Sequence, residues 1–173
     1  MTTHTMIDYR RQDQMRTLWT PYWITSNPVS AVDSDDLAAV VFSFPAAKYG
    51  NSVIKILECA CQVTTICAGG TITVDVGSAT IATDAVTTAG TVTLVDADEY
   101  VATAHITSGT AGLYWCQGSD WLTAALLGTN QGAEIITPAD ATVPCVAVYV
   151  TSDDTITAGV VRVLMQIMEV PKI

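Results

Sequence analysis

Apolar and polar positions alternate along much of this chain with a period of two, the mark of strands that bury one face. From Val53 to Cys67 the odd positions Leu57, Cys59, Cys61 and Val63 are apolar, whereas Glu58, Gln62 and Thr64 between them are polar. Gly69-Gly70 follows and reads as a hairpin turn, because glycine reaches positive φ at little cost. The next run, Thr71 to Val76, turns Ile72, Val74 and Val76 inward and Thr71, Thr73 and Asp75 outward, and Gly77-Ser78 closes it. Thr91 to Val95 places Val92 and Leu94 on one face. Pro144 to Thr151 is almost wholly apolar and predicts a strand buried on both faces. Val160 to Val170 sets Val161, Val163, Met165 and Ile167 inward and Arg162 and Gln166 outward.

Helix signals are few. Asp120 to Gly128 has an Asp N-cap and a terminal glycine, enough for two turns, and Asp96-Ala97-Asp98-Glu99 resembles a capping box that predicts one turn before Tyr100. The pattern therefore predicts an all-β fold, a β-sandwich of jelly-roll or Ig-like type, since about eight short strands fit either topology. Residues 1–36 break the pattern, with Pro21, Pro28, four aromatic residues and three arginines and no clean alternation. They read as an extended N-terminal arm ahead of a sandwich domain at 37–173, laid either on a neighbouring subunit or on its own sandwich.

Composition supports the strand reading. Thr contributes 26, Ala 22 and Val 20 of the 173 residues, a total of 68, and Thr and Val favour pleated surfaces. The formal charge is −10, and between Ile56 and Val161 no Lys or Arg occurs while 11 acidic residues do. That balance excludes a sequence-independent nucleic-acid binder, which needs cations on phosphates, and leaves phosphoryl chemistry without a cationic partner there. Neither a secretory apolar stretch near the start nor a run of about 20 apolar residues is present, so no membrane partner is expected and the chain reads as soluble and cytosolic. Five cysteines, an odd number, read as buried thiols in a reducing compartment.

Catalytic and metal chemistry find little support in the residues. Cys59, Cys61 and Cys67 share a strand face but lack a fourth ligand and a zinc-knuckle spacing. The acidic runs at 33–36, 96–99 and 153–154 lack the glycine and closing glutamate of a calcium loop and read as turns. His4 and His105 are the only histidines, no G-x-S-x-G elbow or glycine-rich phosphate loop occurs, and no carboxylate pair stands out. The expectation is a non-enzyme with no cofactor and no metal. Tyr100, Tyr114, Trp115 and Trp121 suit either core packing or stacking on a sugar.

Two stretches resemble small virion proteins of tailed bacteriophages. One runs from Thr71-Ile72-Thr73-Val74-Asp75-Val76-Gly77 through Ala97-Asp98-Glu99-Tyr100-Val101-Ala102-Thr103-Ala104 to Thr107-Ser108-Gly109-Thr110-Ala111-Gly112. The other, Val148 to Val163, contains Asp153-Asp154-Thr155-Ile156-Thr157-Ala158-Gly159 and is similar to the terminal hairpin of those proteins. The resemblance spans roughly 37–170. It implies a capsid decoration (cement) or minor structural protein, a homotrimer on the capsid exterior of virions assembled in the host cytoplasm, with the major capsid protein as partner. The cysteines and the arm are not part of that pattern. Arg and Trp dominate interface hot spots, so Tyr9, Arg10, Arg11, Arg16, Trp19, Tyr22 and Trp23 are the expected capsid- or subunit-binding residues. The alternative is a head-fibre or receptor-binding module that recognises host glycans through the aromatic residues of the body.

Overall fold

A computed structural model of the chain describes residues 20–32, 36–82, 92–102, 109–115 and 134–172. They form two antiparallel sheets packed face to face, so the chain is an all-β sandwich, as the alternation predicts. In the first sheet β1 (Tyr22–Thr25) lies beside β10 (Ala158–Pro171), which lies beside β4 (Ser52–Ala68). The far side of β4 carries β7 (Gly112–Trp115) and β8 (Glu134–Ile136), and β2 (Val29–Ser30) adds to β10. The second sheet has the order β3 (Asp36–Ser43), β9 (Thr142–Ser152), β5 (Ile72–Ala82), β6 (Val92–Val101). The short helix α1 (Ala46–Tyr49) follows β3.

The main core lies between the sheets. Val161, Val163, Met165 and Ile167 of β10 are fully buried there against Cys59, Cys61 and Val63 of β4 and Val146, Val148 and Val150 of β9. Each such aliphatic side chain contributes about 1.5–3 kcal/mol on leaving water. The predicted two-sided burial of β9 is found. Its alternate residues Val143, Cys145, Ala147 and Tyr149 form a second cluster with Ala79 and Ile81 of β5, on the face turned away from the first sheet. Val40 of β3 and Val92 and Ala97 of β6 pack against that cluster.

Three local expectations are corrected. Leu57 is not in phase with Cys59 and Cys61: Gln166 pairs with Glu58 and Ile167 with Ile56, so Leu57 is the extra residue of a bulge. The bulge shifts the buried set from the even positions Ile54 and Ile56 to the odd positions Cys59, Cys61 and Val63, which a simple period-2 reading cannot register. Gly69-Gly70 does adopt positive φ, +108° and +77°, but it carries the chain from one sheet to the other and makes no hairpin, because β4 and β5 lie in different sheets. Around it the Asp153 carboxylate accepts the Thr71 N–H at 2.6 Å and the Ser152 hydroxyl donates to the Gly69 carbonyl at 2.8 Å. Hydrogen bonds from the Thr71 backbone N–H and then the Thr71 side chain hold the exposed Asp153 carboxyl below its usual pKa.

The third correction concerns Gly77 and Asp96–Glu99. Gly77 lies inside β5, and residues 96–99 lie inside β6 with no helical turn. Val76 pairs with Val101 and Ser78 with Asp96, so three more residues stand on β6 than on β5, and this excess bulges over Gly77. The capping-box signal has a physical basis, since the Asp96 carboxylate does accept the Asp98 N–H at 3.3 Å, but inside a strand bulge. The bulge turns Tyr100 into the core, where it is fully buried. The predicted turn at Asp120–Gly128 lies outside the described residues.

The described part of the segment 1–36 lies on its own chain. Tyr22 pairs with Ile167 and Thr25 with Leu164, and Val29 pairs with Val161. Between β1 and β2 the buried Ser26 substitutes for a ladder pair. Its N–H donates to the Val163 carbonyl at 2.8 Å, its hydroxyl accepts the Val163 N–H at 2.9 Å and donates to the Asn27 carbonyl at 2.8 Å. Ser26→Ala leaves the Val163 N–H buried without an acceptor, at a cost of about 1–3 kcal/mol. Chemical denaturation is expected to show that loss, whereas Ser26→Thr, which keeps the hydroxyl, is expected to retain more of the stability.

Candidate functional site

Of the seven residues expected to bind capsid or subunit, Tyr9, Arg10, Arg11, Arg16 and Trp19 lie outside the described residues. Tyr22 and Trp23 are neighbours in β1 and therefore point to opposite faces of the sheet. Tyr22 turns inward against the core, and its hydroxyl donates to Glu169 Oε1 at 2.6 Å, so it secures β1 to β10. Trp23 turns outward and is 44% exposed. The aromatics weighed for sugar stacking also separate. Tyr100 is buried and is not available to a ligand. Tyr114 is half-buried, packs against the core and donates to the Thr110 carbonyl at 2.9 Å. Trp115 occupies the last position of β7, and Trp121, His4 and His105 lie outside the described residues.

Four of the five cysteines expected as core thiols are found so, and Cys116 lies outside the described residues. Cys59, Cys61, Cys67 and Cys145 are buried and form no disulfide. Burial pushes the Cys61 thiol up to about 12, with Cys67 and Asp75 adding to the effect, and pushes Cys145 up to about 11. Thiols shifted in that direction stay protonated at neutral pH and are poor nucleophiles and poor metal ligands. Among the described residues no group of three or more His, Cys, Asp and Glu is placed to hold a metal ion, and no helix is long and apolar enough to cross a membrane.

Two surface features stand out. The first is β6, the edge strand of the second sheet, which among the described residues pairs only with β5. Its residues Leu94 and Val95, the second the extra residue of a register shift opposite Ser78 and Ala79, are 53% and 67% exposed, so apolar side chains stand open on an edge whose outer backbone groups find no ladder partner among the described residues. Natural edges are commonly guarded by Lys, Pro or inward charges. Here no charged residue and no proline occurs from Ala85 to Val95 in a chain of charge −10. The alternation places Val92 and Leu94 together but does not reveal the edge. Its sequence signal was the uncharged run.

The second feature is the outer face of the first sheet. Trp23 pairs with Gln166, and Gln166 with Glu58, so the three form one row across β1, β10 and β4. Their inward neighbours Ile24, Met165, Ile167 and Cys59 pack in the core, which sets all three on the outside. The next row is Thr25, Leu164 and Ala60.

Compared with known proteins, the chain matches no family model and no curated protein.

Proposed function

We propose that this protein is a non-enzymatic structural protein of a tailed-bacteriophage virion. It binds the capsid exterior as a trimer and stabilises the head shell, with the major capsid protein and its own copies as partners. The observation that carries this reading is the open edge of β6. Val92–Val95, the uncharged half of β6 ahead of Asp96, Asp98 and Glu99, has no second ladder partner among the described residues, and pairing with another chain there would satisfy backbone groups and cover Leu94 and Val95. The resemblance of residues 71–112 and 148–163 to phage decoration proteins is a likeness of sequence that adds to the same reading, although β9 and β10 lie in different sheets and form no terminal hairpin. The acidic body keeps the free protein soluble and away from packaged nucleic acid.

The mechanism is mass action. A protein that binds the assembled shell and not its separated subunits stabilises assembly by its binding free energy. Incubation with purified capsid shells followed by co-sedimentation tests the proposal. Saturable binding at a fixed ratio to the capsid protein is expected, and no pelleting above the shell-free control would contradict it.

A further inference from the structure

We propose that residues 20–32 are a strap exchanged between copies of this chain, so that in the assembled protein β1 and β2 of one copy lie on β10 of the next. The proposal rests on the reading that copies associate, and it names the segment that joins them.

One strand holds the strap. Among the described residues β1 and β2 form ladders with β10 and with no other strand. The hydrogen bonds beside those ladders go the same way. Tyr22 donates to Glu169, Ser26 and Val163 bond in both directions, and the Ala31 N–H donates to the Gly159 carbonyl at 3.1 Å. Tyr22, Ile24 and Val29 pack against the core that β10 helps to form, and Ala31 is fully buried in it. These partners stand more than a hundred residues further along the chain, so the β10 of any copy offers them in the same register. A lone chain fills this edge with its own strap. Exchange replaces each contact by an identical one and leaves the body unchanged.

The link favours exchange. The strap belongs to the first sheet and β3 to the second, and only Asp33, Ser34 and Asp35 stand between Val32 and Asp36. Asp33, Asp35 and Asp36 put three carboxylates within four residues, with no glycine or proline among them. Like charges so close favour an extended link over a tight return, and an extended link carries the strap away from its own body. Val32, at the head of the link, is 41% exposed, so the link leaves the strap at the surface. Short links that return under strain invite exchange. In a closed ring each copy gives one strap and receives one, so no β10 edge stays bare.

Cross-strand disulfides test the exchange. Ser30 pairs with Val160 and Thr25 with Leu164. The ladder hydrogen bonds fall on the adjacent pairs Ala31 with Gly159 and Ser26 with Val163, which makes both chosen pairs the closer, non-hydrogen-bonded kind, within reach of a disulfide. The full-length double variants Ser30→Cys, Val160→Cys and Thr25→Cys, Leu164→Cys would be checked for folding by circular dichroism. They would then be oxidised mildly beside the four single variants, denatured, and separated without reductant, with the association state before oxidation measured by sedimentation velocity. The expected result is that most of each double variant runs as covalent dimers and trimers that reductant returns to single chains, while the single variants run as single chains. Double variants that sediment as oligomers but run as single chains with the two introduced thiols joined would overturn the exchange and leave the assembly reading standing. The same internal link in a protein that sediments as a monomer would overturn both.

Discussion

Gly77→Ala is expected to lower the melting temperature by roughly 6–12 °C. A Cβ at Gly77 would fall inside 3.0 Å of the Asp96 carbonyl oxygen and of the Ala97 backbone, where the β6 bulge passes over β5. Both obstacles are main chain, so no rotamer change relieves them. The bulge must move outward, and with it Tyr100 and Val101, which fill the core one step later. Overpacking of this kind costs about 3 kcal/mol or more when the neighbour cannot give way, and a chain of this size loses about 2–4 °C per kcal/mol. Thermal unfolding followed by near-ultraviolet circular dichroism measures it. Gly109→Ala is the control, because nothing lies within 4 Å of a Cβ there, and its melting temperature is expected to stay at the parent value. Equal melting temperatures for Gly77→Ala and the parent would mean that β6 does not bulge over Gly77.

The second large effect is expected from Leu94→Lys combined with Val95→Lys. Both side chains are more than half exposed, so the folded monomer loses little, within about 0.5 kcal/mol. An edge carrying two lysines resists strand addition, the device by which natural edges stay single. Sedimentation velocity of the parent is expected to show a concentration-dependent oligomer, and the double variant is expected to need at least about tenfold higher concentration to reach it. Ile66→Lys, at a residue 46% exposed on β4, serves as the comparison and is expected to leave assembly unchanged. If the double variant assembles as the parent does, β6 is not the contact, and the assembly reading loses the observation that carries it.

The sandwich was legible because β9 and β10 write their burial into their alternation. Val146, Val148 and Val150 on one side and Cys145, Ala147 and Tyr149 on the other leave no choice but a strand covered twice. Leu57 and the segment 96–99 were not legible, since a bulge changes phase without any residue of unusual type to announce it. Gly69-Gly70 announced positive φ correctly but not its partner, because alternation reports faces and not which strands pair. β1 and β2, at four and two residues, are too short to carry a period, and their place on β10 is set by Ser26 and by the Tyr22 to Glu169 hydrogen bond. The same limit governs the surface. Trp23 was visible as an aromatic in the first 36 residues, but its row with Gln166 and Glu58 joins positions more than a hundred residues apart and exists only in the register.

Heating bare and decorated shells side by side tests the central claim most directly. Shells saturated with this protein are expected to release their subunits at a higher temperature than bare shells, with the increase growing with occupancy and falling when the Leu94→Lys, Val95→Lys variant replaces the parent. Identical disruption temperatures for bare and fully decorated shells would contradict a stabilising role on the capsid.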